Sequence, residues 1–135
     1  FDPHREVEYR ARLAQEYLWD AENSLRINDF KGCVQYSQLA AGNAARAVIA
    51  TKRTPGWGHD PSPELLEVSR ELGSHQEAEA NRLAELSSRL APEHGRTTYG
   101  EPERFMTPRM LYDLQAAEKA IAVAREAITI MRKMI

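Results

Sequence analysis

Residues 114–135 read LQAAEKAIAVAREAITIMRKMI, and this stretch decides the fold. Its apolar positions Leu114, Ala117, Ile121, Ala124, Ile128, Met131 and Ile135 follow one another in alternating steps of three and four. Such a seam belongs to a helix that lies along its neighbours in a bundle. Upstream, Thr107-Pro108 reads as a cap followed by proline at the first helical position, and the last helix is expected to begin there. No segment of useful length alternates with period two, so no sheet is expected.

The same reading extends to the N-terminal half. Asp2-Pro3 opens a first helix over 3–27, with Ala14, Tyr17, Leu18, Ala21 and Leu25 as its apolar stripe. Asn28-Asp29 ends it, and Asp29 can cap the next helix. A second helix over 30–53 presents Cys33, Ser37, Ala40, Ala41, Ala44 and Val48, nearly all small. Small side chains let helix axes approach closely, which puts this helix at the centre. Gly42 within it costs about 1 kcal/mol relative to alanine, which points to a neighbouring helix crossing there. Lys52 and Arg53 at its end suit the negative pole of the helix dipole.

Residues 54–63, TPGWGHDPSP, form a loop by their proline and glycine content. Ser62-Pro63 starts a short third helix that Gly73 stops. The capping-box pattern Ser74-His75-Gln76-Glu77 starts a fourth over 75–91, with Leu83, Leu86 and Leu90 inward and Pro92 at its end. The expected architecture is an all-α, up-and-down helical bundle of three long helices plus a split, shorter third unit, one domain over 1–135. All seven prolines fall outside the interiors of the long helices, so the levels of reading agree.

Composition bounds the function. The apolar fraction of 42% and charged fraction of 28% are those of a globular domain, and no run is long and apolar enough to span a membrane. A net charge of −2 argues against coating duplex nucleic acid by bulk electrostatics, though a local basic patch fits. Cys33 is the only cysteine, which rules out an internal disulfide framework and suits a reducing, cytoplasmic setting. The chain opens on Phe1, so a longer reading frame upstream is expected.

Absent motifs narrow the field further. There is no phosphate-cradling GxxxxGK[ST], no GxGxxG after a strand, no HExxH and no close cysteine pair. His4, His59, His75 and His94 are scattered, so no metal or other cofactor is expected. Glu16 and Asp20 lie one helical turn apart, but the Glu-x-x-His pairs of a di-metal bundle are missing, and a solvated acidic face is the better reading.

Residues 89–101, RLAPEHGRTTYGE, hold the densest chemistry, in an interruption bounded by Pro92 and Pro102 that is not expected to be regular helix throughout. Arg89-x4-His94 joins a phosphate clamp to a proton shuttle, the minimum for metal-independent RNA cleavage. The plainer alternative sets Arg89 on the solvated side of its helix and His94 in a loop. Arg96 and Tyr99, in RTTY, could take a phosphate and stack a base. Alternatively Tyr99 packs under the loop while Arg96 pairs with Glu101 or Glu103. In the other loop, Gly58-His59-Asp60 most simply caps the helix beginning near Ser62.

In order and type, these features resemble the HEPN domain family. The resemblance is carried by the small-residue helix YSQLAAGNAARAVIATKR (36–53), the loop GWGHDPSPELL (56–66), the Arg-Tyr element RTTYG (96–100) and AAEKAIAVAREAI in the last helix. It implies a compact helical bundle, a homodimer, and association with a nucleotide, RNA or a minimal nucleotidyltransferase partner, as in toxin–antitoxin pairs. Some members are metal-independent ribonucleases using R-x4-6-H, a spacing that Arg89 and His94 fit. Yet Leu90 stands where nuclease members carry a small polar residue, and Pro92 falls inside the interval. Asn43 and Arg46 replace the glutamate and lysine of many relatives. The non-nuclease branch is therefore the closer match, with Arg96, Tyr99, His59 and Arg46 as the expected ligand-binding residues and Arg89 and His94 as the catalytic alternative. A third reading is a purely structural dimeric adaptor.

Overall fold

The computed structural model describes residues 2–135, which form seven α-helices and one 3-10 turn: α1 (Pro3–Arg26), α2 (Phe30–Ala50), α3 (Ser62–Ser69), α4 (Ser74–Leu90), α5 (Glu93–Tyr99), the 3-10 turn Pro102–Arg104, α6 (Pro108–Leu111) and α7 (Leu114–Met134). Among the described residues the only β pairing is an isolated bridge between Glu101 and Met106, so the protein is all-helical, as its periodicity requires.

The helix α2 is the hub. Fifteen of its 21 residues are buried, and it touches every other helix. The small face of Cys33, Ser37, Ala40, Ala41, Ala44 and Val48 is wholly inside, which lets α1 and α7 close on it. One continuous core joins Leu18, Ile49, Leu65, Leu83, Leu86, Ile121, Ile128 and Met131. Each such side chain contributes about 1.5–3 kcal/mol by leaving water, so the helices are held by their inward stripes rather than by propensity. No helix is long and apolar enough to cross a membrane among the residues described.

Several boundaries differ from expectation for local reasons. The first helix stops at Arg26, because Asn28 takes a left-handed conformation with φ 61° that asparagine tolerates. Asp29 caps α2 as expected, accepting from the Gly32 N–H at 3.0 Å. That helix ends at Ala50, not 53; Arg53 turns aside to pair with Glu67 of α3. Ser74 is already the first residue of α4, whose cap is Gly73 with no side-chain bond, so the capping box does not form. The last helix begins later than expected, at Leu114, where Asp113 accepts from the Ala116 N–H at 2.8 Å. Pro108 instead opens the single turn α6. Ala117, Ile121, Ala124, Ile128 and Met131 of the seam are buried, whereas Leu114 and Ile135 at its ends are exposed.

The stretch 89–101 departs furthest from its expectation. It is helical over almost its whole length, with only Ala91 and Pro92 between α4 and α5, and both keep right-handed helical dihedrals. Proline removes one donor and crowds the preceding turn, so the ladder breaks while the chain keeps its direction of winding. Gly100 ends α5 at φ 71°, and a side chain there would collide with the Met106 carbonyl oxygen. Only glycine fits that close return.

Candidate functional site

Gln38, Gly42 and Arg46 interrupt the apolar hub, spaced one helical turn apart and therefore on one face. Gly42 has a different reason from the expected helix crossing. A Cβ there would lie 3.0 Å from an Arg46 guanidinium nitrogen, so the missing side chain makes room for that guanidinium over the helix. Arg46 is half-buried and donates through Nη2 to the Gly58 carbonyl, which ties the 51–61 loop to α2. Asp60 completes the loop by accepting from the Ser62 N–H and hydroxyl at 3.0 and 2.6 Å.

Held this way, the loop lays His59 against His94 of α5, with ring centroids 4.0 Å apart and planes inclined by 24°. His94 Nδ1 lies 3.3 Å from Gln38 Oε1. An amide oxygen can only accept, so Nδ1 carries the proton and Nε2 is the free ring nitrogen. Gln38 is only 4% exposed, which fixes this geometry from inside the core. From α1, Arg10 joins the edge of the cluster, donating to Asn43 Oδ1 at 3.4 Å and to Glu6 at 3.0 Å.

Electrostatically the cluster is unfinished. Arg46, His59 and His94 make no ion pair among the described residues: the carboxylates that favour Arg46, Glu64 and Asp60, already hold loop N–H groups. Burial, then Arg10, pulls the Arg46 pKa down, yet a guanidinium stays charged at any ordinary pH. Burial also lowers the pKa of His94, with His59 and Arg46 adding repulsion. An anion placed here would oppose each of these effects.

The other candidates lie elsewhere. Residues five apart on a helical path point about 140° away from each other, and Arg89 and His94 have no partner in common. Arg89 donates to Glu85 at 2.7 Å and lines a groove with Glu93 and Arg96, the residues four and seven positions on. Arg96 donates to Glu93 at 2.5 Å and Glu101 at 3.3 Å, and its guanidinium lies 5.7 Å from the centre of the Tyr112 ring. Tyr99 is 75% exposed and does not pack under the loop. The structure thus brings together Arg46, His59 and His94, sets Arg89 with Arg96 on another face, and leaves Tyr99 in solvent. Arg10 and Gln38 were not singled out by sequence, and Asn43 only as a departure from the family pattern; their signal was polarity at inward positions of otherwise apolar stripes. Glu16 and Asp20 are both exposed, and no group of three or more His, Cys, Asp or Glu among the described residues could hold a metal ion.

The bundle that carries this cluster is a small all-helical domain. The HEPN domain family matches residues 7–134, nearly the whole chain, and the protein belongs to that family. Its fold is similar to the crystal structure of TT1696 from Thermus thermophilus, with a TM-score of 0.76 at 19% identity over 96% of this chain and 98% of that one. At that identity the likeness concerns the fold. Comparison with the curated proteins found no match.

Proposed function

We propose that this HEPN domain is a non-catalytic binding module that holds the phosphate of a nucleotide or an RNA end against the edge formed by Arg46 and the stacked His59 and His94 rings. One observation carries the reading: two stacked imidazoles and a half-buried guanidinium converge with no carboxylate ion-paired to any of them, since Glu64 and Asp60, which act on Arg46 from nearby, accept from loop N–H groups instead. Removing a guanidinium from water without an anionic partner is unfavourable, and a phosphate supplies the missing charge and acceptors. In-line cleavage of RNA needs a base and an acid on opposite sides of the phosphorus. Rings stacked at 4.0 Å leave no space for a phosphate between them, so the geometry favours binding over chemistry. The homodimer and the minimal nucleotidyltransferase partner implied by the family belong to the same proposal, with exposed Tyr99 as a contact for an incoming base or chain.

Calorimetric titration with ATP, GTP and a short 5′-phosphorylated RNA tests the reading in the wild type, Arg46→Gln and Arg96→Ala. Binding lost in Arg46→Gln supports the site. Binding lost in Arg96→Ala and kept in Arg46→Gln would move it to the groove. Incubation with RNA in EDTA addresses the nuclease alternative: cleavage that disappears in both His94→Ala and Arg89→Ala would restore it.

A further inference from the structure

The 51–61 loop that carries His59 also carries Trp57, and this side chain is 95% exposed. Indole is a large, mainly apolar surface that ordinarily finds cover in a core or an interface. Here the backbone on either side of it is held. The Gly56 N–H donates to Glu64 Oε1 at 2.9 Å, and the Gly58 carbonyl accepts from Arg46. The loop thus fixes the residue that presents the ring and leaves the ring itself open. Among the described residues, the aromatic and cation–π contacts all involve other side chains. Position separates Trp57 from the other exposed rings. Two residues span at most about 7 Å, so its Cα lies within that distance of the His59 Cα. Phe105 is 91% exposed as well, but the Arg104 beside it is bound to Glu101 at 3.0 Å. Tyr99 follows Arg96, whose charge Glu93 and Glu101 take up. Of these three, Trp57 alone adjoins basic groups that have no ion pair.

We propose that Trp57 is the base platform of the phosphate site and that the ligand is a nucleotide carrying a single phosphate: its base stacks on the indole while its phosphate meets Arg46 and the edge of the histidine pair. This rests on the phosphate reading of the cluster and narrows it to a ligand class. An indole face stacks on any base, so the platform separates nucleotides from sugar phosphates without choosing among bases. A pinned backbone lowers the ordering cost of binding, because only the Trp57 side chain has to settle. The number of phosphates follows from charge. Among the described residues of the cluster, Arg46 is the one guanidinium without an ion pair, since Arg10 is bound to Glu6 at 3.0 Å. Asp60 and Glu64 act on Arg46 from nearby while they hold loop N–H groups. Each phosphate beyond the first would meet those carboxylates with no further guanidinium free to offset it.

The test uses AMP, ribose 5-phosphate and ATP as probes, titrated calorimetrically and by fluorescence. Fluorescence is read in a Trp19→Phe chain, where Trp57 is the sole tryptophan. The expected result is that AMP quenches the indole emission and binds about tenfold tighter than ribose 5-phosphate, as one base–aromatic stack implies. Trp57→Ala removes that advantage and leaves ribose 5-phosphate affinity and melting temperature unchanged. Trp57→Phe keeps most of it, and ATP binds no tighter than AMP. Equal binding of AMP and ribose 5-phosphate, weakened by Arg46→Gln but not by Trp57→Ala, would overturn the platform and leave the phosphate site standing. No binding of either, or binding indifferent to Arg46→Gln, would sink both. ATP bound about tenfold tighter than AMP would refute the single-phosphate requirement. A dimer in light scattering that Trp57→Ala dissociates, with AMP affinity unchanged, would assign the ring to a contact between copies and overturn the proposal as well.

Discussion

The two faces of α5 carry the same kinds of side chain and use them oppositely. On one face His94 meets His59 and Arg46, and none of these groups has a carboxylate partner. On the other, two positions away, Arg96 is clasped by Glu93 and Glu101, and Arg89 one rim further is bound to Glu85. A count of basic residues would rank the second face higher. What matters for an anion is charge left uncompensated, and by that measure the first face is the proposed phosphate site while the second is an apolar groove with neutralised rims.

The largest effect should come from Arg46→Gln, which removes the fixed charge at the centre of the cluster. Phosphate affinity should fall at least about tenfold with little change in melting temperature, read by calorimetry and thermal denaturation. Unchanged affinity would break the distinction between the faces.

Next in size is Gly42→Ala. The added methyl would crowd the Arg46 guanidinium, which must shift by a few tenths of an ångström, so affinity should drop modestly. Helix propensity gains about 1 kcal/mol at the same time, which should hold the melting temperature level or raise it. Opposite movements of binding and stability in one variant would mark Gly42 as room for the ligand-binding arginine rather than a packing device.

The third prediction concerns pH. His94 is held below its ordinary pKa by burial, His59 and Arg46, so the unfolded chain binds its proton more readily than the folded one. Stability from this source therefore rises with pH through the window between the folded and ordinary histidine values, and is lost on acidification through it. Bound phosphate should raise the His94 pKa and shrink that loss, visible as a shift of its ring resonances in an NMR titration. A titration that phosphate leaves unmoved would detach His94 from the site.

The smallest effect is expected from Tyr112→Phe on the groove face. Its buried hydroxyl makes no hydrogen bond of ordinary geometry, with Glu93 the carboxylate that acts on it, so removing it should change stability only slightly in a denaturant melt. A marked loss would show that the hydroxyl is held firmly by Glu93.

The helices were legible because their evidence is local and repeated. The seam through Ala117, Ile121, Ala124, Ile128 and Met131 recurs turn after turn, and so does the small face of α2. Boundaries were less legible: Asp113, not Thr107, caps α7, since a polar residue beside proline satisfies the same pattern whether a single turn or a long helix comes after it. The site was legible residue by residue but not in its grouping. Arg46, His59, His94, Arg89 and Arg96 each stood out, yet Arg89 and His94 were joined by their spacing along the chain, and the winding through Pro92 turns them apart.

The sequence by itself determined an all-helical bundle with a small-residue helix at its centre, because periodicity and side-chain size act within a few turns of one segment. Only the tertiary structure decided which basic groups are free. Arg96 finds its carboxylates within five residues, but the partners of His94 lie 35 and 56 positions away in His59 and Gln38, brought together by the loop that Arg46 ties down. Charge compensation depends on distance in space, and no spacing along the chain encodes it.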